Sequence, residues 1–150
     1  MSDASSKVVD TIAGKCIAGR LRLVNRVITS LYDNALRPLG VKASQFNILV
    51  VAGKLGVARP ADVCAILRLD TSTLSRNVER MRTAGWIEVV PDEDGRAQPF
   101  TLTPQGKRLL EQALPAWQSA QSEAEHLLGD DGVTMLRRWA GKLGLSVAEH

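Results

Sequence analysis

The sequence predicts a mainly α protein with one small β-hairpin, a winged helix-turn-helix flanked by long terminal helices. Three observations carry this. Apolar residues recur at three-and-four spacing over most of the chain, the period of an amphipathic helix. After Gly85 the period becomes that of an extended segment, and a polar loop containing Asp94-Gly95 joins it to a second such segment. No apolar run approaches the roughly 18–20 residues of a membrane span, so the 150 residues are left to build one core.

From about Val8 to Leu36 the spacing predicts one long helix. Ile17, Leu21, Val24, Ile28, Leu31 and Ala35 share a face, and Pro38 and Gly40 end it. A helix this long at the edge of a small chain needs something to lie against, and a second copy is the economical answer. The next helix runs from about Ala43 to Lys54, with Phe46, Leu49, Val50 and Gly53 on or near its inner face. Its N-cap position falls on Lys42, whose ammonium cannot accept from first-turn amides, so a poorly capped end is expected. Pro60 in the first turn and Asp62 at the positive end of the dipole open a short third helix, continued by Val63, Cys64, Ile66 and Leu67. Arg68 and Leu69 make a turn. Asp70 then caps a fourth helix, about Thr71 to Thr83, which Gly85 ends.

Trp86 to Val90 and Phe100 to Leu102 read as the strands of the hairpin. Thr103-Pro104 opens a fifth helix carrying Leu110, Ala113, Trp117, Ala120, Ala124 and Leu127, with a kink expected at Pro115. Gly129 stops it. Asp130 or Asp131 caps a last helix, striped by Met135, Leu136, Trp139 and Leu143.

The net charge of +3 is small, but it is unevenly spread. Residues 1–60 hold nine Lys/Arg against three Asp/Glu, and residues 111–150 hold three against six. Such a gradient favours a polyanion on one side of the molecule. Met1 to Lys7 lack the apolar core of a secretory signal, which makes a cytoplasmic protein the expectation. Cys16 and Cys64 match no metal or CxxC spacing and are expected as small buried hydrophobes. His126 and His150 are too isolated for a metal site, and no nucleophile–histidine pair, carboxylate pair or phosphate-cradling glycine loop suggests an enzyme or a cofactor.

On a wheel of about 100° per residue, the fourth helix divides cleanly. Leu74, Val78 and Met81 share the face that packs inward; Ser72, Ser75, Arg76, Glu79 and Thr83 share the other, with Arg80 at its edge. Hydroxyls and a guanidinium near a helix N-terminus suit phosphate oxygens and base edges. Arg96, next to Gly95, sits where a long cation can reach a narrow minor groove. Asp92, Glu93 and Asp94 surround it with negative charge, and Asp94 is best placed to orient it.

The stretch Leu69-Asp70-Thr71-Ser72-Thr73-Leu74-Ser75-Arg76, the step Ala84-Gly85-Trp86-Ile87, and Asp94, Arg96, Leu102, Thr103 and Gly106 together resemble the MarR (multiple antibiotic resistance regulator) family. The D-x-R wing followed by L-T-x-x-G is the specific part. The resemblance implies a homodimeric regulator of transcription, a repressor released by a small aromatic or phenolic effector, bound to a pseudo-palindromic operator in double-stranded DNA. It implies a DNA-binding lobe over residues 41–103 and dimerisation helices over 8–38 and 104–147. Thr71, Ser72, Thr73, Ser75, Arg76 and Arg80 would serve the major groove and Arg96 the minor groove, with Asp94 supporting the wing. The effector pocket would lie between the dimerisation helices and the lobe; its lining is not legible.

Two departures stand out: Lys42 replaces a frequent threonine cap, and the acidic wing tip lowers the expected affinity. Two alternatives follow from the same residues. One is a winged-helix module that binds protein. The other is a thiol switch at Cys16. Aligned on Tyr32 and Ser44-Gln45-Phe46, however, Cys16 falls about two residues, or roughly 200° of helix, from the family's sensor position.

Overall fold

The computed structural model describes residues 2–93 and 95–145. In chain order it holds α1 (Asp3–Lys15), α2 (Ile17–Leu36), a 3-10 turn (Arg37–Leu39), α3 (Ala43–Leu55), α4 (Pro60–Leu67), α5 (Thr71–Thr83), β1 (Ile87–Val89), β2 (Phe100–Leu102) and α6 (Pro104–Lys142). This is the mainly α arrangement with a hairpin wing that the periodicity predicts.

The expected helix over 8–36 is in fact two. Cys16 takes an extended backbone (φ −68°, ψ 107°), and its Sγ accepts the Gly19 N–H at 3.3 Å as the cap of α2. Apolar phase runs across the break, and cysteine is not a usual cap, so periodicity cannot reveal it. Cys16 is thus exposed, against expectation, while Cys64 is half-buried against the core. No residue of α1 is buried, and α2 buries only Leu36.

The core gathers Leu36, Ile48, Leu49, Val63, Leu74, Met81 and Phe100 between the end of α2, α3, α4, α5, the hairpin and the start of α6. Phe46 and Leu49 point inward as expected, but Val50 and Gly53 are exposed, and Ile48, Val51 and Ala52 are buried instead. Helix α3 packs against α2, α4, α6 and β2, so its buried surface is broader than one stripe and differently phased. Its N-terminus is also better served than Lys42 suggests. The Ala43 N–H donates to Asp33 Oδ1 of α2 at 2.7 Å, and the Lys42 N–H donates to Gln45 Oε1 at 3.0 Å. A carboxylate from another helix does the capping.

The strands pair antiparallel, Ile87 with Leu102, Glu88 with Thr101 and Val89 with Phe100, a shorter ladder than the sequence suggests. Ala58 adds a third edge: it donates to Phe100 O at 2.8 Å and accepts from the Phe100 N–H at 3.0 Å. Thr103 caps α6 as expected, accepting the Gly106 N–H at 3.0 Å while donating to Gly85 O at 2.6 Å. Backbone dihedrals stay helical at Pro115 and leave that region at Gly129 (φ 68°, ψ 168°), which divides the helix where glycine is best tolerated. Ala113, Ala120 and Ala124 are buried; Leu127, Met135, Leu136, Trp139 and Leu143 remain exposed.

Candidate nucleic-acid interface

Helix α4, the turn and α5 form the helix-turn-helix. Arg68 ends α4 in the left-handed region (φ 53°), which turns the chain sharply enough for α5 to cross α4. Asp70 then organises the start of α5. Its Oδ1 accepts the Thr73 N–H at 2.7 Å and the Ser72 hydroxyl at 2.6 Å, and its Oδ2 accepts the Thr73 hydroxyl at 2.7 Å. The Ser72 hydroxyl, then the Thr73 hydroxyl and amide, hold the Asp70 carboxyl well below the usual carboxylate range.

The sign of the resulting pH dependence follows. A depressed folded pKa contributes stability that is present above the unfolded value, about 4, and lost as pH falls through the folded value. Asp70→Asn, which keeps a capping oxygen, is therefore expected to lower the thermal midpoint at neutral pH. The gap to the parent should close on acidification below about pH 4. A gap equally wide at all pH values would show that the charge of Asp70 is not what stabilises this turn.

The same bonds change the reading of two residues. Ser72 and Thr73 donate their hydroxyl protons to Asp70, so a phosphate would compete with that carboxylate for them, while the Thr73 N–H keeps the cap in place. They order the helix that carries the other groups. Leu74 and Met81 are buried beneath α5, with Val78 half-buried. On the outer side Thr71, Ser75, Arg76 and Arg80 are exposed, with Arg76 Nη2 3.4 Å from Thr73 Oγ1. Glu79, the acid on that face, pairs with Arg82 at 2.8 Å; this pairing lowers the Glu79 pKa and raises that of Arg82. Its charge is thus locally offset.

Thr71, Ser75 and Arg96 come together along a groove of about 690 Å³ between α5 and the wing, floored by Leu74 and Val78. Arg59 lines the same groove and escaped sequence reading. The available signal was a basic residue directly before Pro60, on the loop that also pairs with β2. Asp92, expected at the crowded acidic tip, instead turns inward toward Arg59 (3.5 Å), with little of its side chain exposed. Asp94, expected to support Arg96, lies outside the described residues. Among the described residues no His/Cys/Asp/Glu group could hold a metal, and no helix is long and apolar enough to cross a membrane.

A second cavity, about 290 Å³, opens where α2, α3 and α6 meet, lined by Asn25, Thr29, Tyr32, Phe46, Asn47 and Trp117 among others. At its edge the Tyr32 hydroxyl donates to Gln121 Oε1 at 2.5 Å, and Gln121 donates to Glu125 at 2.8 Å. Burial, and then the nearby Glu125 carboxylate, raise the Tyr32 pKa, so this phenol stays protonated and donating.

Residues 39–97 match the MarR family model. The multiple antibiotic resistance protein MarR of Salmonella typhimurium is 32% identical over 121 residues, 78% of this chain and 84% of that protein. Among solved structures, a MarR mutant from Escherichia coli complexed with operator DNA superposes with a TM-score of 0.77 at 27% identity, covering 88% of this chain and 96% of that one. The Mycobacterium tuberculosis transcriptional regulator MosR, also in complex with DNA, gives 0.76 at 32% identity, with 87% and 94% covered.

Proposed function

This chain belongs to the MarR family of transcription regulators, and from that premise we propose that it binds a pseudo-palindromic operator as a homodimer and represses transcription until a small effector releases it. One observation carries the DNA-binding part. The exposed side of α5 presents Thr71, Ser75, Arg76 and Arg80, and Arg96 of the wing lines one groove with Thr71 and Ser75. Hydroxyls near the start of α5 and guanidinium groups along its outer side match base edges and phosphates in a major groove, and a wing guanidinium matches a narrow minor groove. In this reading residues 41–103 form the DNA-binding lobe, and α1, α2 and α6 dimerise. The apolar residues that α1, α2 and the end of α6 leave exposed are the surface a second copy would cover.

The cavity between α2, α3 and α6 is the place for an effector. Its size suits a single ring, and Asn25, Thr29, Tyr32 and Asn47 offer hydrogen bonds around an aromatic wall of Phe46 and Trp117. The protein carries no catalytic role in this reading and works in the cytoplasm.

Selection of bound DNA from a random pool tests the class and yields the operator. On that operator, Arg76→Ala should cost about 1–3 kcal/mol per base contact and relax preference at one position in each half-site. Arg96→Ala should weaken binding broadly and flatten the salt dependence, with major-groove preference nearly intact. Should the pool return no enriched sequence, or both variants bind like the parent at every salt concentration, this face binds protein instead.

A further inference from the structure

We propose that Arg59 and Asp92 form a latch that positions the wing, setting where Arg96 stands relative to α5. The proposal rests on the DNA-binding reading only for its consequence, not for its geometry. The Asp92 side chain is 12% exposed, and Oδ1 lies 3.5 Å from Arg59 Nη2. Its Oδ2 is buried and has no hydrogen-bond partner among the described residues. Removing Arg59 would therefore strand a mostly buried carboxylate with no other ion-pair partner among the described residues. That is a far larger penalty than breaking an exposed ion pair.

The latch joins the two halves of the DNA-binding surface. On one side, the Arg59 carbonyl accepts the amides of Asp62 (3.0 Å) and Val63 (3.1 Å), so its backbone is part of the start of α4. On the other, the Asp92 carbonyl accepts the Gly95 N–H at 3.2 Å, so the residue that binds Arg59 also holds the turn immediately before Arg96. The neighbouring Ala58–Phe100 bridge anchors β2 to the same loop. Both arms of the wing are thus tied to residues 58 and 59, the returning strand by backbone bonds and the outgoing arm by charge. Arg59 and Arg96 line one groove. Arg59 could reach a phosphate itself only by abandoning Asp92, which the buried carboxylate opposes.

Two measurements test this. In the free protein, amide hydrogen exchange should show Asp92→Ala and Arg59→Ala each speeding exchange at Gly95 while leaving α5 unchanged. Arg59→Lys, which keeps the charge, should restore part of the protection. Unchanged exchange at Gly95 in both alanine variants overturns the latch whatever happens on DNA. On the selected operator, Asp92→Ala should weaken binding roughly tenfold in the parent and add nothing in an Arg96→Ala background, the non-additivity expected of residues that act through one another. If Arg59→Ala weakens the Arg96→Ala protein as much as it weakens the parent, Arg59 contacts DNA directly and the positioning role is wrong. Loosened exchange at Gly95 with no DNA bound by any form sustains the latch and rejects the DNA-binding reading.

Discussion

Gly106→Ala is expected to destabilise the protein by about 3 kcal/mol and to detach the wing from α6, because the new methyl has nowhere to go. A Cβ at this position would stand 2.0 Å from Trp86 O, 2.9 Å from its carbonyl carbon and 3.3 Å from its Cα. These are backbone atoms, so no side chain can swing aside. The carbonyl is also committed, accepting the Thr103 N–H at 3.0 Å, and Thr103 in turn caps α6 on Gly106 and bonds Gly85 O. Gly106 is needed here for space, since its backbone is ordinary helix. Urea denaturation of parent and variant would measure the loss, with the slope reporting whether cooperativity survives. A variant that melts like the parent would mean that the start of α6 slides freely past β1, contrary to this packing.

The second large effect concerns assembly. Leu136→Glu combined with Trp139→Glu should yield a monomer that folds but loses operator affinity by roughly a hundredfold or more. One half-site alone forfeits the avidity of two linked recognition helices. Both positions lie beyond Gly129 on α6, where Trp139 is 45% exposed, and with Ile12 and Val24 they belong to the apolar surface that the chain leaves exposed. In an isolated chain that surface serves no core. Light scattering at micromolar concentration reads the mass, and titration on full and half operators reads the avidity. A parent that is itself monomeric, or a double variant that remains dimeric, removes this interface from consideration. In the first case the palindromic operator falls with it.

Elements closed by short-range bonds were legible in the sequence. Asp70 capping Thr73, Thr103 capping Gly106, Pro60 opening α4 and Gly85 ending α5 all act over three residues or fewer, and each stands where its residue type predicts. The hairpin was equally visible, since the change of period after Gly85 is a local property.

What escaped was of two kinds: residues that serve a distant partner, and local backbone or hydroxyl geometry that neither periodicity nor a helical wheel reports. Asp33 caps α3 from α2, which repairs the apparent defect at Lys42. Arg59 takes up Asp92, which the sequence placed among the acids around Arg96. Ser72 and Thr73 bond Asp70, which a helical wheel does not show, because it gives the face a hydroxyl occupies and not where its proton points. The break at Cys16 hid beneath an unbroken apolar phase, because a cap is a backbone event and periodicity reports only side-chain burial. The residues and their periods alone therefore determined a winged helix-turn-helix with basic groups on one helix face and an arginine at the wing. Tertiary structure decided how the start of α3 and the outgoing arm of the wing are held, by Asp33 on the Ala43 amide and by Arg59 against Asp92, because hydrogen bonds and ion pairs across elements form only once folding brings their partners within reach.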